Sequence, residues 1–201
     1  PPPPPPPPPS VLVSASAVGY YGSRGDEALS EESSPGDDFL ARLCVDWEAA
    51  AREAESASTR VACVRIGIVL DPDGGALAKM LPPFRLGIGG PLGPAGRWFP
   101  WVHGADVVGI LCHAAKTRAP AVLNAVAPEA VTMGEFARAL GRTLHRPALL
   151  PVPIAPLRLL LGEFAGYLSP GQRVAPAATL ASGYAFRFPR LADALADCLA
   201  D

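Results

Sequence analysis

Ser10-Val-Leu-Val-Ser-Ala-Ser-Ala-Val-Gly-Tyr-Tyr-Gly22 is the stretch on which the reading of this chain turns. Ser10 to Ala17 is short, apolar and partly β-branched, the pattern of a strand buried in a sheet. It delivers Ser16 and the Tyr20-Tyr21-Gly22 turn to its C-terminal end. Directly before it stand nine consecutive prolines, Pro1 to Pro9. Such a run forms an extended polyproline II rod without internal hydrogen bonds. It is read as a tail outside the fold, with a ligand for a proline-recognition module as the other reading.

Working outward, Gly19 to Gly36 reads as a long polar loop. Asp37 or Asp38 then caps a helix that runs to about Glu55, with Phe39, Leu40, Leu43 and Trp47 marking its buried face. Arg60 to Leu70 reads as one buried strand and Asp71 to Gly75 as a turn. Ala76 to Leu86 is a short helix interrupted by Pro82-Pro83. The Gly-rich run Gly87 to Gly96 is a loop, and Arg97 to Val102 an extended segment. Gly104 to Lys116 is an amphipathic helix with Val107, Ile110, Leu111 and Ala114 on one face, and Ala121 to Ala125 a third strand. Thr132-Met-Gly-Glu135 is a capping box that opens a helix to about Leu144. Strand and helix alternating in this order predict an α/β fold with a parallel, doubly wound Rossmann-like sheet. The last stretch differs: Leu-, Ala- and Pro-rich, with short helical patterns at Ile154–Phe164, Pro176–Ser182 and Pro189–Leu199. The expected organisation is a tail at 1–9, the later part of a dinucleotide-binding domain at 10–146, and a small, mostly helical substrate-side domain at 147–201.

Bulk properties narrow the function classes. The 201 residues carry a net charge of −2, which gives no electrostatic case for nucleic acid or an anionic membrane as partner. A content of 49% hydrophobic and 18% charged residues suits a buried core. Cys44, Cys63, Cys112 and Cys198 are widely spaced without a CxxC, so they read as reduced thiols in an intracellular, cytoplasmic setting. No apolar run reaches membrane-spanning length, and no HExxH or carboxylate–histidine cluster suggests a metal. His113 and His145 fall in helical patterns and read as surface or cap residues.

Several blocks point to a family. Ser14-Ala-Ser-Ala-Val-Gly-Tyr-Tyr-Gly22 resembles the end of the fifth strand of extended short-chain dehydrogenases/reductases. Asp37-Asp-Phe-Leu-Ala-Arg-Leu-Cys-Val-Asp-Trp-Glu48, Val64-Arg-Ile-Gly-Ile-Val-Leu70, Trp98-Phe-Pro-Trp-Val-His103 and Leu123-Asn-Ala-Val-Ala-Pro128 resemble the atypical epimerase-like subfamily of these enzymes. Gln172-Arg-Val174 and Ser182-Gly-Tyr-Ala-Phe-Arg-Phe-Pro189 resemble that subfamily's C-terminal domain of unknown function. The resemblance covers essentially residues 11–200. It implies an oxidoreductase or epimerase using NADP on a small-molecule substrate, with hydride transfer as the expected step. The family's GxTGxxG phosphate loop is absent from the sequence. Gly87-Ile-Gly-Gly-Pro-Leu-Gly93 is no substitute, because it follows a helix and contains Pro91. The resemblance therefore implies an N-terminally truncated member with impaired cofactor binding. A bared sheet edge would then invite self-association. The alternative is a non-catalytic ligand- or cofactor-sensing module, or an inactive fragment.

The resemblance also assigns residues. Anchored on Glu48, the YxxxK pair that lowers a phenol's pKa in this broad class falls on Leu40 and Cys44, which cannot relay a proton that way. Ser16 aligns with the catalytic serine, and Tyr20 is the phenol that could replace the missing acid. Ser14, Leu40 and Gly67 would face the cofactor, Gly67 by allowing close backbone approach. Tyr21, Trp98, Trp101 and His103 are the candidate substrate wall: aromatic surface with one polar handle. The bland reading of each stays open: strand-end or helix-core packing for Ser16, Leu40 and Tyr21, a structural glycine for Gly67, and a packed domain junction for Trp98, Trp101 and His103.

Overall fold

The computed structural model of the chain describes residues 7–148 and 171–200. Its centre is a parallel sheet of three strands, β1 (Val11–Ala17), β3 (Arg60–Ile66) and β7 (Val122–Ala125), in that spatial order. Alternation along each strand gives the sheet two chemically different faces. One presents Val13, Ala62, Val64, Ile66, Leu123 and Ala125, which pack on Ile110 and Ala114 of helix α3 (Gly104–Lys116). The other carries Ser14, Ser16, Cys63, Arg65 and Asn124 and lies beneath helix α1 (Phe39–Arg52).

That second face corrects the reading of α1. Asp38 caps the helix as expected, accepting from Ala41 N at 2.8 Å. Its covered side, however, is Ala41, Cys44 and Glu48. Phe39, Leu43 and Trp47 are 57%, 44% and 57% exposed. Helical periodicity locates an apolar stripe but does not say which side meets the sheet. Here the sheet offers a serine and an arginine, and these draw a carboxylate inward in place of the aromatic side chains.

Four further segments differ from expectation. The polar stretch 19–36 contains a 3-10 turn (Val18–Tyr21 at its start) and a two-residue strand, β2 (Ala28–Leu29). β2 pairs in parallel with β9 (Arg173–Val174), so a long-range contact makes a strand no local pattern announced. The expected strand Arg60–Leu70 divides at Gly67 into β3 and β4 (Ile68–Leu70). A Cβ at Gly67 would sit 2.3 Å from the Pro100 carbonyl oxygen and 2.8 Å from Val126 Cγ1. The glycine thus lets the chain leave the main sheet and pair β4 with β6 (Trp101–His103). The extended segment from Arg97 divides likewise at Pro100, where β5 (Trp98–Phe99) ends before β6 begins. β5 pairs antiparallel with β8 (Val131–Thr132). Helix α2 (Gly75–Arg85) runs through Pro82-Pro83 without breaking. Burial of Leu77, Met80, Leu81 and Phe84 in the larger core holds its axis although two backbone donors are lost.

The capping box is formed as read: Thr132 accepts from Glu135 N, and Glu135 accepts from Thr132 N, opening helix α4 (Met133–Thr143). Near the C-terminus, α5 (Ala177–Ala181) packs on β7, and α6 (Leu191–Cys198) packs on α4. Leu191, Ala194, Leu195 and Cys198 share one core with Leu77, Phe84, Phe136 and Leu140. The expected helix Ile154–Phe164 and the first six prolines lie outside the described residues. No helix among the described residues is long and apolar enough to cross a membrane.

Candidate functional site at the strand ends

Ser16, Arg65 and Asn124 are each the penultimate residue of their strands, and the register places them side by side: Ser16 beside Arg65, Arg65 beside Asn124. The result is a polar row across the C-terminal end of a parallel sheet. Open α/β sheets bind ligands at that end.

α1 closes over the row and adds Glu48. Arg65 grips this carboxylate with two bonds, Nε to Oε1 at 2.7 Å and Nη2 to Oε2 at 2.9 Å. Such a paired geometry is among the strongest polar contacts a protein makes. Arg52 adds Nη2 to Oε2 at 3.1 Å, and the Ser16 hydroxyl donates to Oε1 at 2.9 Å. Glu48 and Arg65 are 1% and 2% exposed, so each needs the other. Burial works to raise the Glu48 carboxyl, but the bonds and charge of Arg65 hold it below the ordinary carboxylate range. Burial likewise opposes the charge on Arg65, and Glu48 and Tyr21 outweigh it, raising the guanidinium's pKa further.

The network continues from Arg65 away from α1. Its Nη1 donates to the Tyr21 hydroxyl at 3.1 Å, and Tyr21 donates to Asn124 Oδ1 at 2.7 Å. Burial pushes the Tyr21 phenol up from its usual value. Asn124 Nδ2 reaches the Ala175 carbonyl at 3.0 Å, and the Thr179 hydroxyl donates to the Asn124 carbonyl at 2.9 Å. Glu31, from the polar loop, accepts from the backbone N–H of Asn124 and of Ala178, each at 3.0 Å. Five segments distant in sequence therefore meet around one buried guanidinium.

Ser16 and Tyr20 are brought together at the margin of this network. Both are half-buried, and the Tyr20 ring lies over the Arg65 guanidinium at 3.3 Å. Tyr21, by contrast, is fully enclosed. Ser14 is half-buried on β1 and donates to the Ala15 carbonyl. Leu40 touches the position of Gly19, with its Cβ 3.5 Å from where a side chain there would begin. Cys44 is buried beside it, and burial raises its thiol pKa, which keeps the thiol a neutral group. The room around Gly67 is filled by Pro100 and Val126.

The aromatic trio is held by contacts of its own. Trp101 is 1% exposed, and its indole donates to the Glu129 carbonyl at 2.9 Å. Trp98 donates to Asp26 Oδ1 at 2.7 Å and lies under Arg173. The space between the two tryptophans and Gln172, Arg173 and Val174 is about 10 Å³, room for a single water. His103 caps α3 by accepting from Ala105 N at 3.1 Å, faces Asp197 at 3.2 Å and stacks on Phe188. These partners lie apart from those of Ser16 and Tyr20, which are Glu48 and Arg65. No cluster of three or more metal-ligating side chains occurs among the described residues.

The sequence reading missed the centre of the site. Glu48 served it only as a landmark, and Glu31, Arg65, Asn124 and Thr179 were not singled out as a polar cluster. A signal existed: Arg65 and Asn124 interrupt apolar strands at the same penultimate position as Ser16.

Comparison with known proteins finds relatives along most of the chain. Residues 152–198 match the model of a domain of unknown function, DUF1731. The chain is 46% identical over 192 residues to Epimerase family protein SDR39U1 of Bos taurus, covering 94% of this chain and 65% of that protein. It is 44% identical over 187 residues to the chloroplastic SDR39U1 homologue of Arabidopsis thaliana, covering 92% of this chain and 54% of that one. The crystal structure of human SDR39U1 (isoform 2) with NADPH superposes with a TM-score of 0.89 at 43% identity, covering 94% of this chain and 65% of that chain. The chain thus spans between about half and two thirds of the length of the proteins it matches.

Proposed function

The chain belongs to the epimerase family of extended short-chain dehydrogenase/reductase-like proteins, and on that premise we propose that it forms the nicotinamide and substrate side of an NADP-linked oxidoreductase or epimerase site. The observation that carries the reading is the in-register row Ser16–Arg65–Asn124 at the strand ends, roofed by Glu48 and flanked by Tyr20. The NADPH bound to the human relative supports NADP as the cofactor. When bound, the nicotinamide supplies hydride transfer.

The chain's own residues then have separable tasks. Ser16 spends its proton on Glu48, so toward a ligand it presents lone pairs. It therefore accepts a hydrogen bond, which suits a substrate hydroxyl better than a carbonyl. Arg65 commits Nε, Nη1 and Nη2 to Glu48, Tyr21 and the Glu31 carbonyl, and serves as a fixed scaffold for the site. Tyr20 is the phenol available at the margin for proton transfer, its ring steadied by the guanidinium. Leu40 lines the nicotinamide side by contact. The substrate is a small molecule of unassigned identity.

A second reading, a ligand- or cofactor-sensing module without turnover, draws on Leu40 and the neutral Cys44 at the positions where a proton-relaying tyrosine and lysine are expected. Both readings are tested by amide NMR titration with NADPH and with nicotinamide mononucleotide. The expected outcome is shifts at Ser14–Gly22 and Arg65–Gly67 with both ligands, because Ser16 and Arg65 stand side by side at the C-terminal end of the parallel sheet, where such sheets bind ligands. Shifts confined to other regions would overturn the site. Hydride exchange with an alcohol, detected by nicotinamide absorbance and lost in Ser16→Ala, separates the enzyme from the sensor.

A further inference from the structure

The net charge of −2 is an average over the chain, and the far ends of α2 and α4 depart from it. Arg138 and Arg142 of α4, with His145, Arg146, Pro147 and Ala148 just beyond its end, line a cavity of about 400 Å³. Its lining holds three arginines and a histidine, and no acidic residue. The cavity forms because the chain turns back on the helix. The His145 N–H bonds to the Arg142 carbonyl and the Arg146 N–H to the Gly141 carbonyl, the pair of bonds that commonly closes a helix around a left-handed glycine. Here the left-handed residue is His145, with φ of 54°, the single non-glycine with positive φ among the described residues. Gly141 lets the returning segment lie close, since a Cβ there would meet Ala148 Cβ at 2.7 Å.

The end of α2 touches the same segment. Arg146 Nε donates to the Arg85 carbonyl at 3.2 Å, and a Cβ on Gly87 would lie 3.9 Å from the Pro147 ring. Leu86 and Ile88 flank that glycine and are 74% and 58% exposed, Leu86 the most open of the large apolar residues described. Arg85 is exposed as well. An apolar tip therefore stands beside a group of cations. Helix-end chemistry explains part of the group. Arg85 and Arg142 lie in the last turns of α2 and α4, where cations offset the helix dipole, and the Arg138 charge acts on Glu135 one turn earlier. It does not explain His145 and Arg146, which lie past the helix end, or two bare aliphatic side chains in the same place.

We propose that this surface docks on an anionic membrane: lipid phosphates enter the cavity between Arg138, Arg142, His145 and Arg146, and Leu86 and Ile88 pass between the headgroups toward the acyl chains. A soluble phosphate compound would use the cations and leave the apolar tip in water. A bilayer rewards both, because apolar burial and attraction to anionic lipid add. The attraction fades within a Debye length of the surface. A few charges and two aliphatic side chains therefore give reversible, salt-sensitive docking.

Co-sedimentation of the full chain with lipid vesicles tests this. The expected result is binding to vesicles of phosphatidylcholine with added phosphatidylserine, none to phosphatidylcholine alone, and release as sodium chloride is raised. Arg142→Glu should weaken binding by about fivefold or more, and Leu86→Ser by about tenfold. Both side chains are exposed, so the circular dichroism melt of each variant should be unchanged. Equal binding to both kinds of vesicle, binding to neither, or binding undiminished by either substitution would overturn the proposal. So would release by inorganic phosphate at an ionic strength where sodium chloride has no effect; the cavity would then serve a soluble phosphate compound.

Discussion

Glu48 shows how one residue ties local helix chemistry to the whole site. It closes an i, i+4 pair with Arg52 on its own helix and a two-bond pair with Arg65 across the sheet. Replacing it with leucine leaves a buried guanidinium without its counter-charge, and breaking such a pair costs about 3–5 kcal/mol. Urea unfolding of Glu48→Leu should show that loss, while Glu27→Gln, at an exposed carboxylate, should show almost none. The sign with pH follows from the lowered carboxyl: this contribution is complete above 4.5 and fades as pH falls below it, through the depressed folded value. Gly67→Ala should be destabilised by about 1–3 kcal/mol or more, because the new methyl meets a backbone carbonyl that cannot rotate aside. At this scale the sequence was half legible. Ser16 and Gly67 were visible as small residues at strand ends, and Gly67 proves to be explained by Pro100 packing. Arg65 and Asn124 went unread because burial of a polar side chain depends on partners that only the fold assembles.

At the scale of elements, caps and strands were legible where the determinant is local. Asp38 and the Thr132–Glu135 box fix helix starts through contacts within four residues. β2 and the division of β3 from β4 were not, since each is made by a pairing with distant chain: β9 for β2, β6 for β4. The same distinction governs how the C-terminal segment is held. Asp106, in the first turn of α3, is fully buried. It accepts from the Tyr184 hydroxyl at 2.9 Å, Arg187 N at 2.7 Å and Phe188 N at 2.9 Å. Hydrogen bonds to a charged group are worth about 1.5–3 kcal/mol each. Asp106→Ala should therefore lower stability by roughly 3 kcal/mol or more and speed amide exchange at Arg187 and Phe188 before that of β3. Equal protection of both regions in the variant would show that α6 packing alone holds the segment.

For the molecule as a whole, the polar network and the cores are joined. Glu31 and Thr179 bind the C-terminal residues to the end of β7, and α6 completes the core that α2 and α4 begin. The fold class was readable from the order of strands and helices, but this sharing of one core across the expected domain boundary was not, because periodicity carries no information on which faces meet. The joined architecture has an alkaline signature. Burial raises the pKa of both Tyr21 and Tyr184, and for Tyr184 the neighbouring Asp106 adds to it. A phenol whose folded pKa is raised gives stability that is complete below 10.0 and is lost as pH rises toward the folded value. The unfolded chain gives up those two protons first, so rising pH draws the equilibrium toward it. Absorbance titration of tyrosinate should therefore show Tyr21 and Tyr184 ionising together with loss of circular dichroism, in one transition above pH 10.0. Tyr21→Phe should remove one ionising group from that transition, and Tyr184→Phe the other. Smooth ionisation of all four tyrosines with the helix signal intact would mean that neither phenol is sealed, and that the network around Arg65 opens to solvent without unfolding.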